Sequence, residues 1–338
     1  MPLSINGKIN AKLGIGPVSS ETIEAAVRYS NYHRKELMLI ASKNQIDFNG
    51  GYVNGWNTKE FVKNVNKLQK IYSNSNIKLC RDHCGPGFNS KNNLKDSYQT
   101  IETDIENKFD LIHVDFCHFK GNRQKQLEET KKAIQYALSL NSHLLFEIGT
   151  DENIGIKYGL TNISEIEKEI NYFKSFCNPE FYVVQTGSLV KEINQVGIFN
   201  QDFIKKISLL TESNHLKLKE HNADYLDSES ISLRKDIVSA MNVAPQFGVV
   251  QTQTVLNKCL LYGIDTTDFL NESYQSKKWF KWLQNNTSEN KMLCSIISGH
   301  YVFNSKSYKD LIAKLNKHED IKETIINSLM ELIDHYEQ

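Results

Sequence analysis

The feature that most constrains this chain is a unit of apolar strand, polar turn and amphipathic helix. It recurs at least seven times, about every 35 residues. Apolar runs at 37–41, 77–79, 110–115, 143–147, 180–184, 216–220 and 237–241 read as strands, and an eighth falls at 292–297. Between them lie segments with helical spacing. Residues 58–72 place Phe61, Val62, Val65, Leu68 and Ile71 on one face, and 94–109, 124–140, 163–176, 201–211, 228–235 and 247–261 follow. An earlier helix opens near Ser20, the expected N-cap, and a helical stretch over 308–336 ends the chain. Strands separated by helices pair in parallel through crossovers. Eight units close a barrel; an open doubly wound sheet is the competitor. No Gly-x-Gly-x-x-Gly turn follows the first strand and no Walker A loop is present, which weighs against the nucleotide-binding open sheets. The expectation is an α/β fold, a TIM (β/α)8 barrel. It forms a single domain over 1–338 with extra C-terminal helices, and 262–291 is a lid or insertion.

Charge narrows the function. Forty basic side chains balance forty acidic ones. A nucleic-acid binder would carry a basic excess. No apolar run approaches the roughly 20 residues that span a bilayer, and residues 1–8 contain no apolar signal core. A cytoplasmic protein with no nucleic-acid or membrane partner is expected. The six cysteines read as reduced thiols, because Cys80 and Cys84 lack the second pair that a structural zinc site needs.

The polar residues fall where a barrel would use them. The run from Ile77 ends in Asp82-His83, then turns sharply at Gly85-Pro86-Gly87. The ends of the other strands carry Asp115, Glu147, Gln185, His221 with Asp224, and Asn242. In a closed barrel these converge on the C-terminal rim, where such folds do their chemistry. Singly, each more often caps a helix or satisfies a loop than does chemistry. Jointly, two imidazoles among carboxylate and carboxamide oxygens suit a divalent ion such as Zn²⁺, Mn²⁺ or Co²⁺ acting as a Lewis acid, with a carboxylate nearby to move a proton.

Several stretches are similar to a known family. Leu39 to Gln45 with Gly50-Gly51-Tyr52, Asp82-His83-Cys84-Gly85-Pro86, Val183-Val184-Gln185 and Glu220 to Tyr225 resemble the accessory-subunit branch of the class II tagatose-bisphosphate aldolases, which also holds sugar C4 epimerases. The likeness runs over about residues 37–250. It implies a zinc-dependent TIM barrel in which Asp82 handles a hydroxyl proton, Glu147 is a second catalytic carboxylate, and His83, His221 and Gln185 hold the metal. Ser42, Asn44, Gln45, Asp115, Gly187, Asp224 and Asn242 would touch substrate. Two departures stand out. Gln185 occupies the place of the family's middle histidine ligand, and Asn222-Ala223-Asp224 replaces a phosphate-binding Gly-Ala-Ser.

The resemblance implies metal-dependent retro-aldol chemistry on a ketose or ketose phosphate, as an aldolase or a C4 epimerase. The alternative is a non-catalytic accessory subunit of a tagatose-bisphosphate-type aldolase. The expected partners are a sugar or sugar phosphate, and a second copy of the chain or an aldolase chain.

Overall fold

The structure, a computed structural model, describes residues 9–89, 93–150, 162–284 and 289–338. The residues read for a signal core, 1–8, lie outside that set, as do 285–288 of the expected lid segment. Eight parallel strands close a barrel in chain order: β1 (Leu13–Ile15), β2 (Glu36–Ser42), β3 (Asn76–Cys84), β4 (Leu111–Val114), β5 (Leu145–Thr150), β6 (Phe181–Val184), β7 (Lys217–Glu220) and β8 (Ala240–Val243), with β8 pairing back to β1. Helices follow the strands and cover the outside. This is the TIM barrel that the strand spacing predicts. Among the described residues, no helix is long and apolar enough to cross a membrane.

Two expected elements differ. The first strand is Leu13–Ile15, not 37–41, so every strand read from the sequence moves up one place. Residues 292–297, expected as the eighth strand, lie in a helix, Lys291–Ser298. Asn290 caps it by accepting from the Leu293 amide, and Cys294 and Ile297 sit one helical turn apart against Val249 and Trp279. The first helix, Ser20–His33, is capped by Ser19 rather than Ser20. The last stretch is two helices, Lys306–Leu315 and Ile321–Tyr336.

The segment expected as a lid contains the helix Thr267–Gln275, which buries Phe269. Ser273 donates to the Ser295 carbonyl. Beyond it, the Trp282 carbonyl accepts from the Glu192 amide, and Glu192 accepts from the Gln284 amide. These bonds fix the segment to a small hairpin, Val190–Lys191 with Asn194–Gln195, in the loop after β6.

The barrel interior explains how the rim is built. Met38, Ile40, Cys80, Leu111, Phe181 and Ala240 pack together from five different strands. Side chains two apart on a strand share a face. The inward residues one step higher are therefore Ser42, Asp82, His113 and Asn242, with Glu147 above Leu145 and His221 above Lys219. Gly14 on β1 makes room for this layer, since a Cβ there would meet Asn242 Oδ1 at 2.3 Å.

On the outer face of β3, Arg81 is fully buried. Its guanidinium grips both Asp104 oxygens at 2.6 and 2.7 Å and donates to the Ala41 and Ile46 carbonyls. Helix 94–106 is thereby pinned to the strand that carries Asp82 and His83. Asp104→Ala leaves the Arg81 charge buried and uncompensated, and should cost about 3–5 kcal/mol in urea unfolding. A loss under about 1 kcal/mol would show that this pair does not brace β3.

Candidate active site

Adjacent residues on a regular strand point to opposite faces. Asp82 and His83 nevertheless join one cluster, because β3 is bulged there. Its pairing with β4 shifts between Arg81 and Cys84, and His83 takes a left-handed backbone with φ +44°. A β-bulge next to a working site is a common way to re-aim one side chain. Asp82 Oδ1 lies 3.9 Å from both His83 Nε2 and His221 Nδ1. The ligand atoms of Asp82, His83, His113 and His221 all fall within 4.8 Å of one another.

Each imidazole has an outer partner. Asp115 Oδ2 lies 3.2 Å from His83 Nδ1 and also accepts from the Thr150 hydroxyl, while Asp115 Oδ1 accepts from the Cys117 amide. Glu147 Oε1 lies 2.6 Å from His221 Nε2, and Glu147 Oε2 pairs with Lys219 Nζ at 2.5 Å. The Gly149 carbonyl lies 3.1 Å from His113 Nε2. Carboxylates and carbonyls only accept, so these outer nitrogens carry the protons. In the neutral rings the inner nitrogens are then left as lone pairs.

The charge states support that assignment. Burial opposes the Asp115 charge, but the hydrogen bonds from His83 and the Cys117 amide help hold its carboxyl down, to about 2. Burial likewise opposes the Glu147 charge, and the Lys219 ammonium and the His221 hydrogen bond help hold it far below the usual carboxylate range. Burial keeps the His113 imidazole below its ordinary value, and so neutral.

This arrangement fits a divalent metal. His83 Nε2 and His221 Nδ1 face each other at 3.2 Å. Two lone pairs at that distance repel unless a cation lies between them. Two nitrogens bonded at 2.0–2.1 Å to a tetrahedral zinc would be about 3.3 Å apart. His113 Nδ1 is buried with no hydrogen-bond partner among the described residues, and a carboxylate or carbonyl behind each ligating histidine is the usual support of such a centre.

His113 is a candidate ligand that sequence reasoning missed. Its signal was present: it stands two residues past Leu111, on the same inward face. Gln185, expected to ligate, turns its Oε1 to the Gly187 amide at 2.9 Å. The third imidazole of the cluster thus comes from β4 rather than from the end of β6, where Gln185 stands.

Other expected residues divide. Glu147 and Asp115 stand behind histidines. Gln45 Oε1 accepts from the Ser42 amide, and Asn44 donates to the Phe88 carbonyl, so both hold loops. Gly187 has φ +97°, and a Cβ there would strike the Ile198 carbonyl. Ser42 is the last residue of β2, in register with Asp82. Asn242 is buried, and both its side-chain polar atoms lack a partner among the described residues, as a group awaiting a ligand would. Asp224 Oδ1 accepts from the Ala244 and Gln246 amides, which makes it the cap of the helix Pro245–Leu261.

Burial pushes the Asp224 carboxyl up to about 7. An acid raised in the folded state binds a proton there that the unfolded chain, near 3.9, has lost. Stability should therefore fall as pH rises from about 4 to about 7. Asp224→Asn, which can still accept both amides, should flatten that fall by up to about 1 kcal/mol per pH unit in urea titrations. An unchanged slope would refute it.

Residues 6–141 match the family model described as D-tagatose-1,6-bisphosphate aldolase subunit GatZ/KbaZ-like. No curated protein sequence matches the chain at a significant level. Among solved structures, a "probable tagatose 6 phosphate kinase" from Sinorhizobium meliloti 1021 superposes with a TM-score of 0.78 at 14% identity, covering 96% of this chain and 99% of that one. A fructose-bisphosphate aldolase from Campylobacter jejuni gives 0.65 at 14%, covering 97% and 90%. A fructuronate-tagaturonate epimerase from Cohnella laeviribosi gives 0.63 at 11%, covering 98% and 82%. At such identities the likeness is one of fold. The resemblance carried by the strand-end motifs is thereby supported: the chain is similar to the GatZ/KbaZ-like family over residues 6–141 and shares its barrel with aldolases and an epimerase.

Proposed function

We propose that the chain is a metal-dependent carbohydrate enzyme of class II aldolase type, performing retro-aldol chemistry on a ketose as an aldolase or a C4 epimerase. The observation that carries this reading is the set of three imidazoles, each with its proton drawn outward, closing around one point beside Asp82. His83, His113 and His221 would hold a divalent cation, zinc first and manganese or cobalt as alternatives. When bound, it would supply a Lewis acid that polarises the carbonyl and adjacent hydroxyl of the sugar.

The chain's own residues do the rest. Asp82 is partly exposed at the mouth and takes the C4 hydroxyl proton. The C3–C4 bond breaks, its electron pair remaining on the three-carbon side and the aldehyde forming at C4. Release of the aldehyde, with a proton from solvent taken up at C3, makes an aldolase; rotation and re-addition, with Asp82 returning its proton to the C4 oxygen, make an epimerase. Asn242 offers its carboxamide, which has no partner among the described residues, to a sugar oxygen. Glu147 and Asp115 are positioning residues, acting through His221 and His83.

The second reading, an accessory subunit, draws on the word subunit in the family description and on exposed Ile193, Ile198 and Phe280, the first two at and after the hairpin that bonds to the 281–284 stretch. Metal analysis and turnover on a ketose panel separate the two. The enzyme reading expects one metal per chain and chelator-sensitive turnover. Absence of metal and turnover, with stimulation of a co-expressed aldolase, favours the subunit. His83→Ala, His113→Ala and His221→Ala should each lose the metal in a folded chain. Asp82→Asn should keep it while kcat falls about 10²–10⁴-fold. Full occupancy in His113→Ala would reject the third ligand.

A further inference from the structure

In TIM barrels a substrate phosphate is commonly held by the loops after the seventh and eighth strands and a helix N-terminus there. In this chain those amides are already taken. Asp224, in the loop after β7, places Oδ1 on the Ala244 amide at 3.1 Å and the Gln246 amide at 2.8 Å. Pro245 between them has no N–H. The Phe247 amide donates to the Ala244 carbonyl. On the β7 side, the Ala223 amide donates to the Asn242 carbonyl, and the Tyr225 amide to Gln246 Oε1. Tyr336 of the last helix locks this arrangement, its hydroxyl 2.9 Å from the Ala223 carbonyl and 2.7 Å from Gln246 Oε1.

The cations are matched too. Among the described residues, the buried ones are Lys43, Arg81, Lys219 and Arg234. Each has its own carboxylate: Asp47 and Asp96, Asp104, Glu147, and Glu220. Close by, Asn242 presents an uncharged donor and acceptor with no partner among the described residues, which suits a hydroxyl rather than a dianion.

We propose that the site takes an unphosphorylated ketose, whose end at β7 and β8 carries hydroxyls, and that Asp224 is the specificity-determining residue because it fills the anion cradle from within. This rests on the retro-aldol reading for where the sugar lies.

The test titrates the full chain with inorganic phosphate, followed by phosphorus NMR, with and without EDTA to separate binding at the metal centre. With EDTA present, no saturable binding is expected in wild type at low-millimolar phosphate. Asp224→Ala, which frees both amides, should bind about tenfold more tightly or better. Saturable EDTA-insensitive binding by wild type, or no gain in a folded Asp224→Ala, overturns the proposal. If that variant does not fold, the wild-type titration decides. A second arm compares kcat/KM for a ketohexose and its terminal phosphate, and preference for the phosphate also overturns the proposal. If neither is turned over, the retro-aldol reading fails, and the phosphate titrations, which need no turnover, still decide this one.

Discussion

The hydrogen bonds behind the histidines determine what the centre can be. An imidazole has two nitrogens, and which one keeps its proton depends on what the other faces. Asp115 draws the proton of His83 outward, and Glu147 does the same for His221. Without those carboxylates, His83 Nε2 and His221 Nδ1 could share a proton at 3.2 Å and would have no need of a cation. With them, two lone pairs converge, and the buried His113 Nδ1 adds a third.

That outer layer depends on the interior beneath it. A carboxylate as buried as Glu147 would protonate in isolation. Lys219, from the same inward row as His221, meets it at 2.5 Å and keeps it an acceptor. The bulge in β3 has a comparable role on the other side. It holds His83 in a backbone conformation that non-glycine residues seldom adopt. The buried Arg81–Asp104 pair and the Asp115 contact constrain it from both sides.

The architecture was legible because helices and strands leave different periods, and these were clear from residue 37 to 261. The errors lay at the ends. Leu13–Ile15 is too short, and too close to Gly14 and Gly16, to show a period, while 292–297 is apolar enough to pass for a buried strand. In the site, Asp82, His83 and His221 were readable from their place after apolar runs. His113 was hidden within its run, where an inward histidine looks like a core residue. Glu147, Asp115 and Asp224 were visible as carboxylates. What each faces depends on neighbours dozens of residues away, which no local pattern encodes.

By itself, the sequence determined the kind of barrel and the strand ends at which polar chemistry gathers. Strand alternation and helical periodicity are local properties of a chain. The tertiary structure decided which nitrogens meet, which carboxylates stand behind them and which helix amides are already satisfied. Those outcomes follow from barrel closure, strand register and one bulge, which bring residues 83, 113 and 221 to one point and set residue 224 against the amides of 244 and 246.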